Sequence, residues 1–189
     1  MDDRQPKKRG STHRVREVTA VLSILTREQC AQCRVCCSFE SYDLFDTPLV
    51  TDEILRRALE VRPETKVSDV SGRRLFVMER QQGSDIHFCP MLDHERGCLL
   101  GDGKPFECRI FPLRLAEFEG RMVIAVSPIC PAAAAMPLEK LIEEVKRLSA
   151  AIFAEGRREP QIVRGIEPGC PILAVGERMG KVCKESKNE

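Results

Sequence analysis

The sequence predicts a small α+β domain in which a short antiparallel sheet is flanked by helices and joined by irregular, cysteine-rich loops. Three observations carry that expectation. The apolar residues between Leu138 and Phe153 recur at helical spacing. Strand-like runs between Arg73 and Met78, and between Leu113 and Val126, are punctuated by glycine turns. Ten cysteines occur in 189 residues, and eight of them fall between positions 30 and 130.

Composition excludes several classes. Hydrophobic residues make up 42% and charged residues 31%, so the chain is neither a disordered tail nor a membrane bundle. Thirty Lys+Arg against 29 Asp+Glu leave a formal charge of +1. That balance argues against a protein whose task is to neutralise phosphates or coat an acidic membrane. Gly and Pro, 12 of each, are ordinary in number, which removes collagen-like and low-complexity classes. With no Trp, one Tyr and eight Phe, the aromatic contribution to a core is thin.

The elements follow in order. Residues 1–14 are polar and basic (Arg4, Lys7, Lys8, Arg9, Arg14) and are expected to form a disordered tail. The domain proper is expected over 15–156. Val15, Val18, Val21, Leu22 and Leu25 fit a helix or a strand equally. Thr51-Asp52-Glu53 is a helix start, with a hydroxyl to cap and two acids for the positive dipole end, and Pro63 is its stop. Gly83 turns the chain into Ile86-His87-Phe88-Cys89, and Glu119-Gly120 closes a hairpin between Leu113 and Val126. Leu138, Leu141, Ile142, Val145, Leu148, Ile152 and Phe153 form the stripe of an amphipathic helix. Beyond Gly156 no period persists, and 157–189 is expected to be an irregular extension.

The compartment decides what many cysteines mean. No apolar run long enough for a secretory leader follows Met1, and the candidate from Thr19 to Thr26 runs into Arg27 and Glu28. The uncharged stretch from Met122 to Leu138 is broken by Pro128, Pro131 and Pro137, which a spanning helix tolerates poorly. A soluble, cytoplasmic chain is expected, without membrane contact. In a reducing compartment clustered cysteines indicate metal or redox chemistry more often than a disulfide framework, although an even count of ten also suits a secreted protein.

The first cluster reads Cys30-Ala-Gln-Cys33-Arg-Val-Cys36-Cys37. Two intervening residues let a tight turn aim successive thiolates at one point, as in zinc knuckles and iron–sulfur loops. Adjacent cysteines point apart, so Cys36 and Cys37 are expected to serve different sites, or one of them a second metal. The second group is more dispersed: Cys89-Pro90, Gly97-Cys98, Cys108-Arg109 and Cys130-Pro131. These eight suffice for two four-thiolate sites or one polynuclear cluster, and spacing alone does not pair them. Zinc binding contributes roughly 10–16 kcal/mol in small domains, against net stabilities of about 5–15 kcal/mol, so a metal-stabilised fold is expected. His87 and His94 are more readily surface histidines than ligands, and Cys170 and Cys183 are expected to be free or peripheral thiols. The convergence of Cys30, Cys33, Cys89 and Cys108 on a shared centre is the proposition underlying this reading.

Taken together, Cys30-x-x-Cys33-x-x-Cys36-Cys37, Cys89-Pro90-x-Leu92, Gly97-Cys98 and Pro105-x-x-Cys108-Arg109-x-x-Pro112 resemble the YkgJ-type cysteine-cluster family over roughly residues 28–131. The resemblance implies a domain that chelates zinc or iron. It is similar also to the cysteine-rich part of flagellin lysine methylases, which implies an iron–sulfur cluster such as 4Fe–4S. Two positions depart from the family: Leu99 stands where an aromatic usually follows Gly-Cys, and Lys104 where an arginine precedes the proline.

Three functions compete at this point. The first is a metal-chelating protein holding zinc or an iron–sulfur cluster through Cys30, Cys33, Cys36, Cys37, Cys89, Cys98, Cys108 and Cys130. The second is an iron–sulfur-dependent enzyme, redox or protein-modifying, in which Arg34 beside Cys33 or Arg109 beside Cys108 lowers a thiol pKa. The third is a protein- or nucleic-acid-interaction module stapled by zinc, the nucleic-acid form being disfavoured by the charge balance.

Overall fold

The computed structural model describes residues 27–39 and 47–179. The expected tail over 1–14 and the apolar run from Val15 to Leu25 lie outside them. Helix α1 (Arg27–Cys33) carries the first cysteines. It ends where Arg34 adopts a left-handed conformation (φ 57°), and a 3-10 turn over Val35–Cys37 leads into β1 (Ser38–Phe39). Helix α2 (Asp52–Val61) starts where the sequence indicates: the Thr51 hydroxyl accepts from the Ile54 amide at 3.3 Å, and Asp52 and Glu53 occupy the first turn. Strands β2 (Val67–Val70) and β3 (Arg73–Phe76) pair antiparallel across Ser71 and Gly72, both at positive φ.

A series of very short strands follows: β4 (Glu79–Arg80), β5 (His87–Phe88), β6 (Leu92–Asp93) and β7 (Gly97–Cys98). β5 lies between β1 and β4, and β6 pairs with β7, all antiparallel. Helix α3 (Phe106–Ile110) precedes β8 (Leu113–Phe118) and β9 (Arg121–Val126), the hairpin expected around Glu119-Gly120. Helix α4 (Pro131–Ala134) leads into the long helix α5 (Leu138–Arg158), and β10 (Arg164–Gly165) and β11 (Ile172–Arg178) complete the described chain.

The largest sheet has the order β10–β8–β9–β11. It corrects the reading of 157–189 as an irregular extension: β11 pairs antiparallel with β9, and β10 adds to β8 in the molecule's parallel pair among the described residues. The physical reason is non-local. Leu173 and Ala174 pack on the core that the β8–β9 hairpin and α5 already build, so tertiary burial supplies what local periodicity lacks.

Mixed helix and sheet, with short antiparallel pairings, is thus what the molecule contains. Two apolar cores divide it. One lies between α5 and a single face of the large sheet, where Leu113, Leu115, Met122 and Ile124 meet Val145, Leu148 and Ile152. The other gathers Phe39, Val50, Ala58, Phe76, Met78, Met91 and Leu100 beneath the short strands, with Cys89 and Cys98 packed against it. Among the described residues no helix is long and apolar enough to cross a membrane.

Candidate functional site

Five of the cysteines singled out by sequence line one cavity between the two cores: Cys36, Cys37, Cys89, Cys98 and Cys108. Its volume is about 110 Å³. The backbone explains how distant thiols arrive there. Ser38 is opposite Phe88 in the β1–β5 ladder, and the Cys89 amide donates to the Cys37 carbonyl at 2.9 Å, so Cys37 and Cys89 sit side by side. The turn Cys89-Pro90-Met91-Leu92 closes through the Leu92 amide on the Cys89 carbonyl at 2.9 Å, and Leu92 is opposite Cys98 in the β6–β7 pair. Gly97 takes a φ of +79°, and a Cβ there would sit 3.4 Å from that of Ala31. The glycine of Gly97-Cys98 therefore serves both the turn and the close packing of α1 on β7.

Cys108 is held by its neighbour. Glu107 accepts through Oε1 from the Leu49 amide (3.1 Å) and from Arg164 (2.7 Å), with Arg73 at 3.5 Å. Arg164 also donates to the Thr47 carbonyl at 2.6 Å. One carboxylate thus ties α3 to β3, to β10 and to the segment before α2, which fixes where Cys108 emerges.

The thiols face one another in a poorly solvated space. Burial, with Cys98 and Cys36 nearby and a Met91 amide bond opposing, pushes Cys89 up to about 12. Burial, Cys98, Cys89, Glu107 and Cys36 carry Cys108 well above the ordinary thiol value. For Cys37 the hydrogen bond from Cys36 acts downward, but burial together with Cys89, Cys108 and Cys98 raises it overall. Part of each residue reaches the surface while its sulfur is enclosed, so desolvation of the anion governs.

These directions bear on one of the alternatives, a Cys108 thiol activated by Arg109. Arg109 does not depress Cys108; its guanidinium lies 5.8 Å over the Phe106 ring instead. Arg34 acts as a clamp. It donates to the Ala31 carbonyl (2.9 Å), to His94 Nδ1 (3.1 Å) and to the His94 carbonyl (2.9 Å), locking α1 to the β6–β7 hairpin. His94 packs edge-on against Phe88 at 5.0 Å, and His87 Nδ1 bonds the Asp85 carbonyl at 3.1 Å, as surface histidines do.

The remaining candidates do not meet at this cavity. Cys33, half-buried on α1, is not on its wall, and the Cys30 side chain lies outside the described residues. Cys130 is 1% exposed in the core between sheet and α5, just before Pro131 opens α4, where it packs as a small hydrophobe. Conversely, Cys170, expected to be peripheral, is buried on the cavity wall with its thiol donating to Glu167 Oε2 at 3.8 Å. Cys170 lies just before β11, and what brings it there is the pairing of β11 with β9, more than forty residues upstream, which no local pattern reveals. Cys183 is outside the described residues. Among the described residues Cys33, Cys36, Cys37, Cys89, Cys98, Cys108, Cys130 and Cys170 form no disulfide with one another.

The donors suit a soft metal in kind and number. Among the described residues, however, no three His, Cys, Asp or Glu side chains are already grouped as a bound ion requires. The chain matches no family model, no curated protein and no solved structure.

Proposed function

We propose that the protein is a cytoplasmic metal chelator of the YkgJ-type cysteine-cluster kind, binding zinc or an iron–sulfur cluster such as 4Fe–4S. Cys37, Cys89, Cys98 and Cys108 are the principal ligands, with Cys36 as the adjacent fifth thiol. The observation that carries this reading is the arrival of thiols from four separate segments at one cavity wall, where burial and nearby thiols raise the cost of ionising Cys37, Cys89 and Cys108. A bound cation reverses that cost, converting mutually repelling thiolates into ligands. Cys37, Cys89, Cys98 and Cys108 would hold the metal as thiolates, so their thiol protons would be released on binding. Bound zinc or iron supplies a soft Lewis-acid centre, and the protein's own part is to fix the sulfurs through Gly97, Glu107 and Arg34.

The test is anaerobic purification of the full chain with zinc, iron and acid-labile sulfide quantified against protein. Stoichiometric metal, lost in Cys89→Ser and Cys108→Ser variants that keep their helix content, is the expected outcome. Protein free of zinc and iron, with every thiol titratable, overturns it.

A further inference from the structure

The cavity extends well beyond the thiols. From the cysteines it runs between the two cores to the loop that carries Ile166, Glu167 and Cys170. The pattern of the β8–β9 hairpin explains the space. Arg114 pairs with Ala125 and Ala116 with Val123, so these residues share the sheet face turned away from α5. The opposite face carries Leu113, Leu115, Met122, Ile124 and Val126 into the α5 core. The cavity face thus presents methyl stubs at 116 and 125 where its counterpart presents large side chains. Both alanines are buried, Ala125 completely, and both line the cavity.

The chemistry of the walls restricts what fits. Four charged groups at the cavity edge are engaged with one another: Glu107 with Arg164 at 2.7 Å, and Glu167 with Arg114 at 3.5 Å. Among the described lining residues Lys104 is the one charged side chain outside these two pairs, and Ile129 and Ile166 add to the apolar wall. A charged occupant would lose its hydration for little return, whereas an apolar one loses nothing. Ile129 lines the cavity and is yet 46% exposed, which marks an apolar mouth. The whole cavity, thiol end included, has a volume of about 110 Å³, of the order of apolar cavities that admit a benzene-sized guest.

We propose that this cavity is a binding site for a small, uncharged, apolar molecule, seated against Ala116 and Ala125 and entering past Ile129. The site shares the cavity with the thiols but not their chemistry: its floor is the sheet, and its occupant needs no thiol.

Benzene is the probe. The full-length protein as isolated, its metal content measured on the same sample, is titrated with benzene while the thermal midpoint and methyl NMR spectra are followed. The expected result is a saturable rise of about 3 °C once benzene is in tenfold excess over its Kd. Nuclear Overhauser contacts from benzene to the Ala116 and Ala125 methyls are expected with it. Ala116→Leu, which fills the floor, abolishes the rise. Should that variant fail to fold, the Overhauser contacts in the unaltered protein decide alone. No saturable rise, or contacts only to methyls elsewhere, overturns the proposal. Benzene binding by a sample devoid of metal sustains the cavity while removing the chelation reading; metal-loaded protein that ignores benzene does the reverse.

Discussion

Asp93 ends β6 at the turn into β7, where its carboxylate accepts from the amides of Glu95 (3.0 Å) and Arg96 (2.8 Å) and from the Arg96 guanidinium (2.8 Å). The Arg96 side chain first, then the two amides, hold it below the usual carboxylate range. A carboxylate depressed in the folded state stabilises above its unfolded pKa of about 3.9, and that contribution disappears as pH falls through the folded value. Asp93→Asn is therefore expected to unfold more readily than the unaltered protein at pH 7. The gap narrows below about pH 4, as urea titrations at pH 7, 4 and 2.5 would show. The gap is expected to be small because the pair is exposed and salt-screened. A gap that widens in acid would refute the assignment. At this scale the sequence was unevenly legible. Paired thiols announce themselves by spacing, whereas Asp93 and Glu107 are ordinary acids whose roles arise from amides and guanidiniums that the fold delivers. Arg109 shows the same limit: a cation next to a thiol in sequence points wherever its backbone sends it.

Helix α5 shows how far periodicity reaches. Its stripe was readable as a whole, but the structure divides it: Ile152 is 0% exposed while Leu138 is 56% exposed. A 3.6-residue period identifies the apolar face and says nothing about where the neighbouring sheet ends. Ile152→Ala is expected to cost about 2–5 kcal/mol and Leu138→Ala close to nothing, measured by chemical denaturation at constant m-value. Equal costs would mean that the helix docks differently. Capped and turn-bounded elements such as α2 and the β8–β9 hairpin were likewise legible, since Thr51 and Gly120 act on their own neighbours. Strand β11 was not. Its two register irregularities against β9 bend an edge strand whose identity depends on a partner some fifty residues away, and such bends also guard an open edge from further pairing.

The whole molecule is two half-structures of unequal self-sufficiency sharing one cavity. The sheet–α5 half has long strands and a continuous core, but it needs its C-terminal strands. A chain ended after Arg158 loses both β10 and β11, uncovers Met122 and Val123, and is expected to elute as aggregate without a cooperative melt. A monomeric, cooperatively melting product would return 157–189 to the status of an appendage. The other half joins α2 and the four-residue β2–β3 hairpin to two-residue strands around the thiols, and such strands have no independent stability in water. Its cohesion falls to the Phe76–Met91 core and, on the reading proposed above, to the metal. Chelation should therefore divide the molecule. Stripping zinc or iron from purified protein is expected to abolish hydrogen-exchange protection at the amides of Cys89, Leu92 and Leu99, which bond between or beside the short strands. Amides of Ile124 and Val126, inside the four-stranded sheet, should stay protected. Exchange that rises uniformly in both halves would mean that the cavity couples them into one cooperative unit. Exchange that does not change at all would mean that the thiols contribute nothing to the fold that assembles them.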